Sequence, residues 1–299
     1  MEPVHRQGMR VHDTHGTSPE TPAEYAERSF RNWQAAAAGW DAQRAHLARA
    51  MRPLTEWLLA ELEPRPGESV LELAAGPGEL ALEIAQRLSP GGRLICTDRS
   101  PNMVEAARRA AAARGLENVE TRVADARHLE LADASMDAVV CRMGYMLMAD
   151  PEQVFGETAR VLRPGGRVAF TVWAAADQNR WATALHDVIE AGGGQPPAAP
   201  GGPGMFSLAA DRRRSALLTG AGLEIQRTER IALSWEYGGF DEYWEISRSL
   251  NGGVARLCAE LAEPDLARLR DQVRAAVEPF RSDGGYRMPG LALGVLASR

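Results

Sequence analysis

The stretch Val70-Leu71-Glu72-Leu73-Ala74-Ala75-Gly76-Pro77-Gly78-Glu79-Leu80-Ala81 constrains this chain more than any other. It opens as an apolar run with one acid inside it. It breaks at two glycines one residue apart and resumes with helical periodicity from Glu79 through Leu88. That order reads as a buried strand, a tight turn and a helix. Gly76 and Gly78 let the backbone bend sharply and let a ligand lie against the main chain without meeting a Cβ. Through Ala81 the spacing satisfies G-x-G-x-x-A, a pattern of dinucleotide sites. Such triplets also arise by chance in Gly- and Ala-rich chains, so the ligand must be decided elsewhere.

The glycine turn is the first of a series. Ser69–Ala74, Arg93–Thr97, Val119–Val123, Asp137–Cys141 and Arg167–Trp173 read as five strands, with helical segments between most of them. Ser100-Pro101 starts one helix with a capping serine and a proline in its first turn. Asp150-Pro151-Glu152-Gln153 starts another with a capping-box pattern. Arg163-Pro164-Gly165-Gly166 reads as a turn before the fifth strand. Strands alternating with helices argue for a Rossmann-like α/β fold: a mostly parallel sheet of about seven strands with helices on both faces. Ahead of it, Ala23 to Leu62 reads as helices. After it come a Gly/Pro/Ala-rich loop over 191–204, a helix over Ser207–Gly220 and a long strand over Leu223–Trp235. Asp241–Ala276 is expected to be helical, and an apolar run, Leu291–Leu296, to close the sheet as an antiparallel strand. Residues 1–22 are polar and aperiodic, as in a disordered or loosely attached arm. Residues 23–299 are expected to form one domain, with 69–173 as its ligand-binding core and 174–299 as its substrate-side half.

Composition excludes several chemistries. All 34 basic residues are Arg, which rules out Lys nucleophiles and Schiff bases. The net charge of −6, with acids and arginines interleaved, is the wrong footprint for nucleic acid. Cys96, Cys141 and Cys258 are widely spaced, so neither a disulfide framework nor a metal site is indicated. His5, His12 and His15 in the polar arm read as solvated. No apolar stretch approaches the ~20 residues of a membrane span, and the N-terminus lacks a signal-peptide apolar region. The expectation is a cytoplasmic chain with no stable membrane anchor, with a homodimer left open.

In an open parallel sheet, ligands bind beyond the carboxyl ends of the strands. Polar residues fall at those ends here: Gly76-Pro77-Gly78, Asp98, Asp125-Ala126 and Arg142-Met143-Gly144-Tyr145. Asp98, 20 residues after Gly78, suits a ribose diol. Asp125 suits an adenine amino group or merely a turn, and Met103 an apolar face for the base or merely the core. Glu72 stands inside a strand that should be buried, where an ionised carboxylate is costly unless paired. It could serve a cationic ligand or order the glycine loop.

Taken together, Val70–Gly78, Cys96-Thr97-Asp98, Val123-Ala124-Asp125-Ala126, Met136–Cys141 and Arg160-Val161-Leu162-Arg163-Pro164-Gly165-Gly166-Arg167 resemble the class I S-adenosylmethionine (SAM) methyltransferases. The flavour is that of the ubiquinone/menaquinone C-methyltransferase-like branch, and the ordered motifs cover roughly Ala23–Trp173. The resemblance implies SAM as cofactor. Glu72, Ala74, Gly76 and Gly78 would contact its methionine part, and Asp98 its ribose. Arg99 and Met103 would flank the adenine, Asp125 and Ala126 would read its amino edge, and Arg142 would lie beside the reacting centre. It further implies that helices 23–63, with Tyr25, Trp33 and Trp40, fold over the cofactor as a lid.

Methyl transfer from a sulfonium is an in-line displacement, helped mainly by positioning and exclusion of water. A small apolar or aromatic acceptor is expected, in a pocket of Met143, Tyr145, Met146, Trp181 and Phe206 beneath a helical cap over 241–280. Candidate general bases are His186 and Tyr145, with His128 and Tyr286 behind them. Two alternatives remain at this stage: a non-catalytic SAM-binding protein, and a nicotinamide-dependent oxidoreductase prompted by the glycine spacing.

Overall fold

The computed structural model describes residues 20–192 and 202–299. Most of the expected N-terminal arm, with His5, His12 and His15, and most of the 191–204 loop lie outside the described residues.

Three helices lead the chain: α1 (Pro22–Ala42), α2 (Arg44–Ala50) and α3 (Arg52–Leu62). Thr21 caps α1 in a full capping box with Glu24, and Pro53 sits in the first turn of α3, where its missing N–H costs nothing. The alternating core follows as β1 (Ser69–Glu72), α4 (Glu79–Leu88), β2 (Arg93–Asp98), α5 (Pro101–Ala113), β3 (Val119–Val123), β4 (Met136–Arg142), α6 (Pro151–Val161) and β5 (Leu162–Trp173). The remainder is α7 (Arg180–Ala191), α8 (Asp211–Gly220), β6 (Glu224–Tyr237), α9 (Phe240–Leu250), α10 (Gly252–Glu260), α11 (Glu263–Val277), the two-residue β7 (Arg281–Ser282) and β8 (Gly285–Ser298).

The sheet runs β3-β2-β1-β4-β5-β8-β6, with β7 paired to β8. The first five strands are parallel, and β8 is antiparallel to both β5 and β6. The chain leaves β1 toward β2 and β3, then returns to place β4 on the other side of β1. The crevice beyond β1 and β4 is therefore the switch point, where such sheets bind ligands. Val70, Leu71, Val139, Val140, Val168 and Phe170 are fully buried at its centre.

Two expectations are corrected. The Arg163–Gly166 turn lies within β5 as a large bulge: Leu162 pairs with Met136 and Arg167 with Ala138, leaving Asp137 opposite the four residues between. Asp137 anchors the bulge from the facing strand through Arg163, at 2.9 Å. The 241–276 helix is three helices. The Asn251 side chain accepts from the N–H groups of Gly253 and Val254 and so restarts the chain as α10. Pro264 then opens α11 after an extended Ala262.

Helices α9 and α10 press on α1 at two glycines. A Cβ on Gly252 would come within 2.7 Å of the Asn32 carbonyl, and one on Gly39 would strike the Ser249 carbonyl. Among the described residues, no helix is long and apolar enough to cross a membrane, and no group of acids, histidines and cysteines is arranged to hold a metal.

Candidate functional site

A cavity opens at the switch point, enclosing about 1190 Å³ including its mouth. Its floor is the ends of β1, β2, β3 and β4, and its wall is one face of α1: Ala26, Ser29, Phe30, Trp33 and Trp40.

At the end of β1, Glu72 is 1% exposed and its Oε2 has no hydrogen-bond partner. Burial pushes its carboxyl up to about 8, against the opposing pull of Arg142. Arg142, ending β4, donates to Thr55 Oγ1 at 2.7 Å and lies 3.7 Å from Glu79, which also meets Arg44 at 2.6 Å. A chain of alternating charge thus runs from the cavity floor to α2 and α3.

The backbone is strained on both sides of the crevice. Ala74 and Met143 have φ of 51° and 62°, the left-handed region that residues with a Cβ avoid. Gly144 lies between them, where a Cβ would come within 2.5 Å of Cys141 Sγ and 2.7 Å of Ala74 Cβ. The two glycines of the turn differ in use. Gly76 (φ 56°) has nothing within 4 Å of a would-be Cβ, because it faces the cavity. Gly78 (φ 88°) caps α4 and packs on α5, where a Cβ would meet that of Ala107 at 2.9 Å. Gly78 therefore does not line the cavity.

At the end of β2, Asp98 accepts from Gly76 N–H at 2.9 Å on one oxygen and from Ser100 N–H at 2.8 Å on the other. It thereby ties the glycine turn to the start of α5. Burial raises its carboxyl despite these bonds. Asp125, after β3, is held differently. Burial alone would raise it, but its oxygens take the backbone N–H and the guanidinium of Arg127, with Arg99 at 3.5 Å. The net effect keeps it below the usual carboxylate range. Its two oxygens are thus already engaged, which the sequence did not show. Arg99 also donates to the Ala26 carbonyl at 2.6 Å and lies over the Phe30 ring. Met103 and Ala126 line the same end.

The expected substrate residues fare worse. Met143 lines the cavity. Tyr145 does not: it is fully buried, stacks on Phe155 at 4.3 Å and bonds Thr158 through its hydroxyl. Met146 is also core, its sulfur accepting the Trp173 N–H and its carbonyl accepting from Gly204 and Ser207. That docking carries Phe206 against the core and away from the cavity lining. Trp181 stacks on Trp235, meets Trp173 at a tilt and lies over Gly290, where a Cβ would meet the indole at 3.1 Å. His186 is exposed on α7 beside Asn251. His128 and Tyr286 are outside the lining too, the latter bonded to Glu278 and Arg281. Among the described residues none beyond Ala149 lines the cavity, so 241–280 contributes only by backing α1.

Several lining residues were not foreseen: Ser29, Phe30, Met51 and Glu79. The spacing of Ala26, Phe30 and Trp33 marks one helical face, but nothing in it says which side that face meets.

Residues 70–166 match the family described as "Methyltransferase domain". Over this segment, about a third of the chain, the sequence is similar to methyltransferases. The arsenite methyltransferase of Halobacterium salinarum is 42% identical over 106 residues, 36% of this chain and 27% of that protein. The nocamycin O-methyltransferase of Saccharothrix syringae is 36% identical over 120 residues, 40% and 43% of the two chains. The demethylmenaquinone methyltransferase of Thermus thermophilus is 45% identical over 107 residues, 36% and 47%. The chain thus spans less than half the length of these relatives. Among solved structures, a geranyl diphosphate methyltransferase in complex with SAM superposes with a TM-score of 0.52 at 21% identity, covering 87% of this chain and 90% of that one. The [4+2]-cyclase SpnF superposes with 0.53 at 21% identity, covering 82% and 79%. At such identity the likeness is one of fold, and a cyclase shares it.

The residues present suit SAM, the cofactor that the sequence resemblance implies. A buried carboxylate with an unpartnered oxygen lies beside an unobstructed glycine backbone, as a cationic ligand lying along the main chain requires.

Proposed function

We propose that this chain is a class I SAM-dependent methyltransferase that transfers a methyl group from SAM to a small apolar or aromatic acceptor. The observation that carries the reading is the pairing of two acids at adjacent strand ends, the buried Glu72 with its free oxygen and the half-buried Asp98 with both oxygens steered by backbone N–H groups.

SAM supplies an activated methyl on a sulfonium. In this reading Asp98 holds the ribose diol, and Met103, Arg99 and Ala126 bound the adenine. Asp125, already taken by Arg127, serves there as a brace for the two arginines. Glu72 and the Ala74–Gly76 backbone face the methionine part, with Arg142 fixing the position of Glu72. Helix α1 is the lid that keeps water out, fastened by Arg99 to Ala26, by Ser100 to Gln34 and by Arg109 to Asp41. Exclusion of water and orientation are the main protein contributions to such a displacement. Among the described residues, four carboxylates and three arginines line the cavity, with no His, Cys or Tyr, so neither His186 nor Tyr145 is placed to move a proton there.

The branch resembling the quinone C-methyltransferases draws support from the Thermus relative. Arsenite and nocamycin methyltransferases match over segments of similar length, so this likeness follows the cofactor half and does not single out an acceptor. The matched domain argues against the nicotinamide alternative. Calorimetric titration of SAM is the test: saturable binding to wild type, weakened at least 100-fold in Asp98→Ala, is expected. No binding to wild type would sink the reading. Incubation with labelled SAM and phenolic, quinol and amine acceptors checks turnover; cofactor binding with no transfer to any of them would favour a non-catalytic binding protein.

A further inference from the structure

We propose that a flat, conjugated ring of the acceptor is bound by Trp33 and Trp40 of α1, making this helix the specificity element. The proposal rests on the SAM reading above. Once the polar strand ends are assigned to the cofactor, the unassigned lining is concentrated in Trp33, Trp40, Met51, Leu147 and Met148. Two indoles and two thioethers form a polarisable surface, suited to the faces of π-systems more than to saturated chains.

The indoles are arranged for this. Their centroids are 5.4 Å apart at 71°, an edge-on pair. In such a pair the ring edge of one side chain meets the face of the other, so the pair itself takes up at most one face of each indole. Trp40 is fixed by its Nε1–H, which donates to the Leu250 carbonyl of α9 at 3.1 Å. The Gly39–Ser249 and Gly252–Asn32 contacts hold the backbone of α1 against α9 and α10 on the same side. Trp33 has no such tether: its Nε1–H makes no hydrogen bond among the described residues, leaving a donor for an oxygen on the ring. The region expected from sequence to bind the acceptor is meanwhile filled by its own side chains, with Tyr145, Met146 and Trp181 packed among themselves and their neighbours.

The test compares two alcohols of one carbon skeleton, 1-naphthol and decahydro-1-naphthol, titrated by calorimetry with and without saturating S-adenosylhomocysteine. Wild type is expected to bind the naphthol at least tenfold more tightly than the saturated alcohol. Trp33→Ala is expected to lose that preference, Trp33→Phe to keep most of it, and both variants to bind S-adenosylhomocysteine within threefold of wild type, which also shows them folded. Equal affinity for the two alcohols, no naphthol binding by wild type, or an undiminished preference in Trp33→Ala each overturns the proposal. Failure of wild type to bind S-adenosylhomocysteine instead overturns the SAM reading, and the titrations without it still report on the ring site.

Discussion

The carboxyl edge of the sheet is built in two opposite ways. Beyond β1, β2 and β4 it opens into a cavity floored by buried acids and left-handed backbone. Beyond β5 and β6 it is filled. Trp173, Trp181, Trp235, His46, Tyr237 and Tyr243 form an unbroken run of ring contacts, with centroids 4.4 to 5.7 Å apart. The open end tolerates costs, an uncompensated carboxylate and two strained residues, that the filled end offsets through packing. That division fits a general pattern in which strain and unsatisfied groups collect at functional sites.

The sharpest way to break the contrast is to hollow the filled end. Trp235→Ala should cost about 3–5 kcal/mol of stability, measured by urea unfolding, and leave S-adenosylhomocysteine affinity within threefold. A large loss of affinity would mean that the two ends are not separable.

Next in size is Glu72. Its carboxyl titrates near 8 in the fold against 4.5 for an ordinary glutamate. Between those values the folded chain holds a proton that the unfolded chain has released, so stability falls as pH rises through this window. Glu72→Gln removes the loss and should be more stable than wild type at pH 9 by about 2–4 kcal/mol, with little difference at pH 5. The cationic cofactor favours the ionised form. Titrating SAM at pH 7 should therefore release a proton from wild type and none from the variant, read by calorimetry in buffers of different ionisation enthalpy.

The glycine pair sharpens the same contrast within one turn. Gly78→Ala meets Ala107 and should lose stability well beyond the ~1–2 kcal/mol of a left-handed alanine. Gly76→Ala meets nothing and should lose only that, while losing more than tenfold in SAM affinity because its Cβ projects into the cavity. The smallest effect is expected at His186, where Gln should leave turnover within twofold.

Much of this was legible in the sequence. The order of strands and turns, the glycine bend and the acids at the strand ends follow from spacing and from the cost of burying Glu72 and Asp98. What was hidden is direction. Tyr145 and Met146 follow a strand end just as Met143 does, and only the short helical turn after Gly144 decides that they point inward. Trp181 reads as a pocket aromatic until Gly290, more than a hundred residues later, provides the hollow in which it stacks. Asp125 suits an adenine acceptor or a turn acid equally in sequence, and nothing there shows that Arg127, two residues on, takes both its oxygens. The cavity face of α1 was visible as a helical stripe, but its partner was not, since the stripe meets an open space and no complementary sequence marks it.

The paired indoles give each end of the edge an optical signature. Two transition dipoles held a few ångström apart mix, and near-ultraviolet circular dichroism reports their mutual orientation. Trp181 and Trp235 are nearly parallel, at 23°, within the packed run, whereas Trp33 and Trp40 cross at 71° beside the cavity. One spectrum can thus follow both ends together: heating erases both couplets, and a ligand that enters under α1 alters only the second.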